Sequence, residues 1–425
     1  LTNNGTFNAG ITNTNTGTIT TLTNNGTITN GITNEAQGNN RGNIGTINNQ
    51  QNLSSITNAG DINTINNQSN ATLTTLTNQT GGSIQTLNNT QNSTITTLTN
   101  QANATIGQFD NAGSVTNAFT NNGTITTLNN NNTGSFTQGI TNAGTGTITT
   151  LTNNGTINVG ITNQANGNIG TLTNTSQLDK VDNSGSITQL DNQANGTITE
   201  LENKNTGTIT TLNNAGTITN AFSNEGNVTT LSNTGTFTNG ITNKSNATID
   251  TLTNEGSINV GITNEQNATI TTINNRRTLT KVENTGAITT LNNENGATLE
   301  TITNNNNGTI GSLTNQSIIT TLENKEGGTI TMLTNTNTLQ TLTNEGKIDN
   351  GSNSGTIDNF TNQNTNAANP DNGHILNFTN AQGGTITTFD NQAGQVDAFT
   401  NQNGGTITTW TNNTNGNVTA LTNAG

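Results

Sequence analysis

Residues 19–28 read Ile-Thr-Thr-Leu-Thr-Asn-Asn-Gly-Thr-Ile, and this pattern recurs along the whole chain. Two apolar residues, Ile19 and Leu22, stand three apart, and the next apolar residue, Ile28, follows six positions later. The 425 residues contain about 40 such units, which are mostly 9–11 residues long. A short motif repeated at a nearly fixed period is typical of solenoid proteins, in which each repeat packs only against its neighbours.

The spacing of the apolar residues predicts which side chains face the core. The number of positions from the second apolar residue of one unit to the first apolar residue of the next is usually even. These two residues therefore lie on one face of an extended strand. Within a unit the spacing of three is odd, and a bend or bulge is needed to return both side chains to the core. Where the spacing is four, Gly or Ala precedes the second apolar residue, which indicates a bend as well. These pairs are Ile28/Ile32, Val115/Phe119, Ile157/Ile161, Phe237/Ile241 and Ile258/Ile262.

An Asn stands two residues after the second apolar residue in nearly every unit, and the unit near Ser352 breaks this rule. Its parity is inward, and stacked Asn side chains can donate and accept hydrogen bonds along a ladder. We therefore expect a buried structural ladder. Its predicted members include Asn24, Asn78, Asn100, Asn111, Asn153, Asn192, Asn254, Asn315 and Asn391.

These features predict an all-β parallel β-solenoid, or β-helix. Two units per coil, about 21 residues, are favoured by the spacing. One unit per coil stays open, because Thr-Thr and Asn-x-Gly could supply both bends of a thinner coil. Residues 1–425 are expected to form one continuous array that is a segment of a longer chain, since both ends fall inside a unit.

The composition requires dense hydrogen bonding. Only 26% of the residues are hydrophobic and 8% are charged, against roughly 45–50% and 25% in ordinary globular domains. Apolar burial alone cannot offset the conformational entropy that so long a chain loses on folding. The regular spacing nevertheless argues against a disordered Asn-rich tract.

The charges exclude some partners. Nine Lys and Arg residues and a net charge of −14 argue against nucleic acid, which needs clustered basic residues. The sequence contains no run of 18 apolar residues, so no membrane span is predicted in this segment. With one His and no Cys, we expect no metal site and no cofactor.

Catalysis is not expected either. Paired acids can cleave glycosidic bonds on a β-helix, but Asp179/Asp182 and Glu200/Glu202 are interpreted as a solvated face, and His374 as a solvated loop residue. Two insertions interrupt the repeat, at residues 33–43 and 361–374. Insertions in solenoids are often binding loops, so the second is a candidate. Its residues of interest are Asn369, Pro370, Asp371 and His374.

The phrases Leu-Thr-Asn-Asn-Gly-Thr-Ile, Gly-Ile-Thr-Asn and Asn-Glu-Gly-Ser-Ile-Asn-Val-Gly-Ile-Thr-Asn resemble the passenger repeats of bacterial autotransporter and filamentous-haemagglutinin-like adhesins. The resemblance covers essentially the whole chain. It implies secretion to the bacterial surface or matrix and a non-catalytic extracellular fibre or stalk that serves adhesion, aggregation or scaffolding. The partners then expected are other copies or further units, joined end to end, and surface glycans.

A different function remains open at this point. Thr124-Ile125-Thr126 exemplifies a Thr-x-Thr motif that recurs in many units. On adjacent coils such residues would form outward ladders, with Thr about 6.6 Å apart along a strand and about 4.8 Å apart between coils. This resembles the regular Thr arrays of antifreeze proteins and gives an ice-binding β-solenoid as the alternative.

Overall fold

The computed structural model describes residues 1–366, 369 and 371–425, which form two compact units, Leu1–Thr219 and Asn220–Gly425. In each unit the chain alternates between two parallel sheets, A and B, and aligned residues of successive strands lie about 21 residues apart. The two units together contain about 20 coils. The predicted parallel β-solenoid with two units per coil is therefore confirmed, and the thinner coil is wrong. None of the described residues is helical.

Unit 1 has the following strands. Those of sheet A are Thr2–Asn3, Thr18–Asn24, Asn43–Asn49, Asp61–Asn67, Ser83–Asn89, Thr105–Asn111, Thr124–Asn130, Thr147–Asn153, Asn168–Asn174, Ser186–Asn192 and Thr208–Asn214. Those of sheet B are Thr6–Phe7, Ile11–Asn13, Thr27–Ile28, Ile32–Asn34, Asn52–Asn58, Thr72–Asn78, Thr94–Asn100, Ser114–Val115, Phe119–Asn121, Ser135–Phe136, Ile140–Asn142, Thr156–Ile157, Ile161–Asn163, Gln177–Asn183, Thr197–Asn203 and Thr217–Ile218. An antiparallel hairpin joins Ala36–Gln37 and Asn40–Arg41.

Unit 2 repeats the arrangement. The strands of sheet A are Asn227–Asn233, Thr248–Asn254, Thr269–Asn275, Ala287–Asn293, Thr309–Asn315, Thr329–Asn335, Lys347–Asn353, His374–Asn380, Gln395–Asn401 and Asn417–Asn423. The strands of sheet B are Phe222–Asn224, Thr236–Phe237, Ile241–Asn243, Ser257–Ile258, Ile262–Asn264, Thr278–Asn284, Thr298–Asn304, Ile318–Asn324, Thr338–Asn344, Thr356–Asn362, Thr385–Asn391 and Thr406–Asn412.

The seven-residue strands explain the odd spacing of the apolar pair. In Thr147–Asn153, the side chains of Ile148, Leu151 and Asn153 are buried. Thr149, the third residue, has no aligned partner in either neighbouring strand. The pairing between adjacent strands is thus interrupted between the two apolar residues. The strand bends locally at this interruption, and the bend returns both apolar side chains to the core. Full burial of each such side chain stabilises the fold by roughly 1.5–3 kcal/mol.

The units with a spacing of four have a sharper bend, and they all lie in sheet B. The strand is divided there into two short pieces, such as Thr156–Ile157 and Ile161–Asn163. Between the pieces, Gly160 has a φ of 101°, and a Cβ at this position would overlap the carbonyl group of Lys180 in the next coil. Only Gly combines this left-handed backbone with so close an approach.

The corners between the sheets come in two main lengths. Short corners have two residues, such as residues 285–286, and long corners have four, such as residues 265–268. Several long corners carry an Asn in the left-handed conformation, for example Asn267 and Asn307, with φ values of 64° and 65°. Asn tolerates this conformation better than most residues do, which explains its frequency at the corners.

The unit near Ser352 was predicted to break the Asn rule, and this prediction is wrong. Its strand is Lys347–Asn353, and Asn353 is fully buried at the usual ladder position. The exceptional residue is instead Gly351, which aligns with Leu333 and so takes the place of the second apolar residue. The Asn rule holds here, and the gap is in the apolar core.

Candidate functional site

Continuous ladders of Asn side chains run inside both sheets of each unit. Within each unit, the Nδ2 of one ladder Asn donates a hydrogen bond to the Oδ1 of the ladder Asn in the following coil, over 2.7–3.0 Å. In unit 1 the ladders run from Asn3 to Asn214 and from Asn13 to Asn203. Since these amides are cut off from water, each depends on its neighbours for its hydrogen bonds.

Asn153 shows how completely such an amide is satisfied. Its Oδ1 accepts from Asn130 Nδ2 over 2.8 Å. Its Nδ2 donates to Asn174 Oδ1 over 2.9 Å and to the backbone oxygen of Gln177 over 3.0 Å. The third bond fixes the chain where it enters sheet B, so the ladder holds the corner as well as the stack.

The ladder residues named from the sequence all lie in these rows, and each is at most 1% exposed. Asn24, Asn111, Asn153, Asn192, Asn254 and Asn315 lie in sheet A, and Asn78, Asn100 and Asn391 lie in sheet B. Asn353 is a member that sequence reasoning missed, because its strand lacks the apolar residue used to find the position.

The candidate binding loop occupies residues 363–373, between the strands Thr356–Asn362 and His374–Asn380. Its described residues form hydrogen bonds with the corner at residues 325–328. Asn366 Nδ2 donates to Glu326 Oε1 over 2.8 Å, and Asn372 Oδ1 accepts from the backbone nitrogen of Gly327 over 3.2 Å. Asn369 Nδ2 donates to the same Asn372 oxygen over 3.2 Å. Pro370 lies outside the described residues.

His374 is not the solvated loop residue that the sequence suggested. It begins a strand of sheet A, and its side chain is only 14% exposed. Its Nε2 lies 3.0 Å from Asp397 Oδ2, while its Nδ1 lies 3.9 Å from Asp371 Oδ1 and has no hydrogen-bond partner among the described residues. The strand start is therefore tied to the next coil by a His–Asp pair.

The carboxylate of Asp397 is held in its charged form. A hydrogen bond from Gln395 Nε2 lowers its pKa most, and the contact with His374 lowers it further, against the opposing effect of partial burial. The residues aligned with His374 in the flanking strands are Lys347 and Gln395. Neither of these two aligned residues carries the hydroxyl group that a Ser-His-Asp site uses as its nucleophile.

The paired acids are engaged by lysines. Lys180 Nζ lies 2.7 Å from Glu202 Oε2 and 3.2 Å from Glu200 Oε1, and Lys204 Nζ lies 2.7 Å from the same Glu202 oxygen. Partial burial opposes the charge of Glu202, but the hydrogen bonds from the two lysines outweigh it and lower its pKa. A general acid needs a raised pKa, so Glu202 is tuned in the opposite direction.

Asp182 and Asp179 complete the set of predicted acids. Asp182 Oδ2 lies 3.8 Å from Lys180 Nζ and 3.9 Å from Lys204 Nζ. Asp179 Oδ2 accepts a hydrogen bond from the backbone nitrogen of Val159 over 3.2 Å. The structure thus places these acids in an ion-paired surface network and at a bend of the preceding coil.

The outward Thr ladders are in register but interrupted. In the row that contains Thr124, the aligned residue of the next strand is Thr147 and that of the strand after it is Asn168. Thr126 and Thr149, two residues further along their strands, have no aligned partner in the adjacent strands. This interruption gives no support to the ice-binding alternative, which remains a prediction from the sequence.

Two further features concern the described residues 1–366, 369 and 371–425. These residues contain no group of three or more His, Asp or Glu side chains that could hold a metal ion. They also contain no helix long and apolar enough to cross a membrane. Comparison with protein-family models, curated proteins and solved structures gave no match.

Proposed function

We propose that this chain is a non-catalytic structural part of an extracellular bacterial fibre or stalk that serves adhesion, aggregation or scaffolding. The observation that carries the proposal is the continuous Asn ladder in both sheets of each unit. It repeats one hydrogen-bonded layer in coil after coil. A β-solenoid of this kind fits a structural role, and the resemblance to adhesin repeats supports the extracellular setting.

The physical basis of such a role is resistance to unfolding and cleavage. Proteases need a locally unfolded segment, and opening a coil exposes buried amides and apolar side chains on both of its neighbours. A chain with 8% charged residues also offers few sites to proteases that cut at charged side chains. These properties suit a protein that works outside the cell.

Location is tested on the cells that produce the protein. Antibodies raised against the purified chain should label intact, unpermeabilised cells, and limited protease treatment of those cells should remove the label. Labelling that appears only after permeabilisation would overturn the extracellular assignment.

The structural role is tested by deleting coils. Removing residues 122–163 joins Asn121 to Gln164 and takes out two complete coils without changing the alternation of the sheets. If the number of coils matters, cell adhesion or aggregation falls while the far-ultraviolet circular dichroism per residue stays the same. In the matched control, the Gln-Ala-Asn-Gly sequence of residues 193–196 replaces the loop at residues 363–373. Loss of adhesion in this control alone would locate the activity in the loop and contradict the proposal.

A further inference from the structure

The corners that lead from sheet B to sheet A contain recesses where a short corner lies between two long ones. In unit 2 one of them is formed by the long corners 265–268 and 305–308, with the short corner 285–286 as its floor. The walls are two coils apart, which is roughly 10 Å at the normal strand spacing. The cavity has a volume of about 520 Å³, within the usual range of small-molecule sites. We call it the corner notch.

The corner notch is polar and uncharged. Its lining includes Gln266, Asn267, Thr285, Asn307 and Thr309, together with backbone and small residues, and no charged side chain. The side-chain amides of Gln266, Asn267 and Asn307 are exposed, and none has a hydrogen-bond partner among the described residues. Three amides that can donate and accept therefore face one recess.

The chain itself shows how an equivalent recess is occupied. The short corner 345–346 lies between the long corner 325–328 and the loop 363–373. There, Asn366 Nδ2 and Asn372 Oδ1 bond to Glu326 and Gly327 across the recess, and Gln363 Nε2 donates to Glu345 Oε1 at its floor over 2.6 Å. The four-residue corners beside the corner notch provide no such bridge, so that notch stays open.

The lining selects a class of ligand. A charged ligand would lose hydration without meeting an opposite charge, and an apolar ligand would strip water from the amides without replacing it. A neutral ligand with many hydroxyl groups can instead bond to amide oxygens and nitrogens alike. We infer that the corner notch binds a neutral saccharide. This inference deepens the proposed function and rests on it, because a surface protein meets glycans outside the cell.

The test uses saturation-transfer NMR on the full chain with four neutral disaccharides, maltose, cellobiose, lactose and mannobiose, and with a disaccharide that contains a uronic acid as the charged control. At least one neutral disaccharide should bind, with a Kd of roughly 1 mM for so open a site. Binding by none of the four, or by the uronic acid alone, would overturn the inference.

The variant Thr285→Arg fills the floor of the notch and should weaken binding at least tenfold. Thr336→Arg is its matched control, because each Thr donates to a backbone oxygen of the preceding coil over 3.1 Å. Thr336 belongs to a corner whose neighbours are also short, so its variant should bind as the wild type does. A second variant, Asn267→Asp with Asn307→Asp, adds charge with little change of shape and should also abolish binding.

Equal binding by the wild type and both notch variants would place the sugar elsewhere and overturn the assignment. Circular dichroism of each variant identifies any that fails to fold, and the Asp variant then decides the matter. Failure of the proposed function would be seen separately, as antibody labelling confined to the cell interior.

Discussion

The ring of Phe378 fills the core space that Gly351 leaves empty. The two residues are aligned in adjacent strands of sheet A, and both lie inside the coil. A Cβ placed on Gly351 would overlap the Phe378 ring. Phe378 also packs against Phe360 and Phe399, with ring centroids 5.0 and 5.3 Å apart. A small residue in one coil is thus matched by a large one in the next.

This complementarity predicts strong coupling between the two positions. Gly351→Leu alone should destabilise the chain by about 1–3 kcal/mol, because it overpacks the core, and Phe378→Leu alone should cost a similar amount through the cavity that it leaves. The double variant places Leu at both positions. Its loss of unfolding free energy should be smaller than the sum of the two single losses by at least about 1 kcal/mol. Denaturant unfolding of the four proteins measures the coupling, and strict additivity would contradict the packing argument.

Around Gly351 and Phe378, the sequence predicted the fold but not that a Gly would replace the second apolar residue and that a Phe of the next coil would fill the space. Parity and the Asn rule depend on local spacing, so the strands, the bends and the buried Asn row could be inferred from single units. Which residue of the next coil fills a gap depends on register between residues 27 apart, as for Gly351 and Phe378. That register is fixed by the loop inserted between them, whose length the repeat does not predict.

The Asn ladder should be sensitive to a single replacement. Asn153→Leu removes three hydrogen bonds, and the buried amides of Asn130 and Asn174 each lose one of their partners. We expect a loss of about 1–3 kcal/mol in unfolding free energy. Amide hydrogen exchange should accelerate in the adjoining coils.

The matched control is Asn205→Leu, at an exposed long-corner position whose side chain has no hydrogen bond with any described residue. It should change the stability by less than about 0.5 kcal/mol. Equal effects of the two substitutions would mean that ladder bonds add nothing to stability.

The divided strands should be intolerant of a side chain at the bend. Gly160→Ala combines a left-handed φ with overlap on the Lys180 carbonyl group, and it should cost at least about 1–3 kcal/mol. Gly5→Ala is the control, because its added Cβ would meet no atom within 4 Å. Thermal unfolding distinguishes the two, and similar midpoints would remove the steric explanation of the bend.

The ion-paired network should contribute stability over a defined pH range. The pKa of Glu202 is lowered, so its contribution is present above its ordinary pKa and is lost as the pH falls below about 4. The pKa of Lys204 is raised, chiefly by its hydrogen bond with Glu202, so that contribution is lost as the pH rises above about 10.4. Between these limits the partly exposed pairs should add only about 0.2–1 kcal/mol.

The variant Glu202→Gln removes the shared carboxylate with little change in shape. The difference in unfolding midpoint between wild type and variant should be largest near neutral pH and should shrink towards both extremes. A difference that stays constant from acid to alkali would show that the ion pairs are not its cause.

The loop was found from the sequence, but its attachment was not. Its position follows from the interruption of the repeat between Phe360 and Ile375. Its anchors, Glu326 and Gly327, precede Asn366 and Asn372 by 40 and 45 residues, and no local pattern links such distant positions. His374 was misread for the same reason, because its partner Asp397 lies in the next coil.

The layered hydrogen bonding has a mechanical consequence. A tensile load carried through the backbone would act first on an outermost coil, which is held by one neighbour, whereas an inner coil is held by two. Peeling off one coil of about 21 residues would lengthen the chain by roughly 70 Å at about 3.4 Å per residue. Each coil would therefore unfold in a separate step. Stepwise unfolding would limit the peak force that the chain transmits to the structures attached to it.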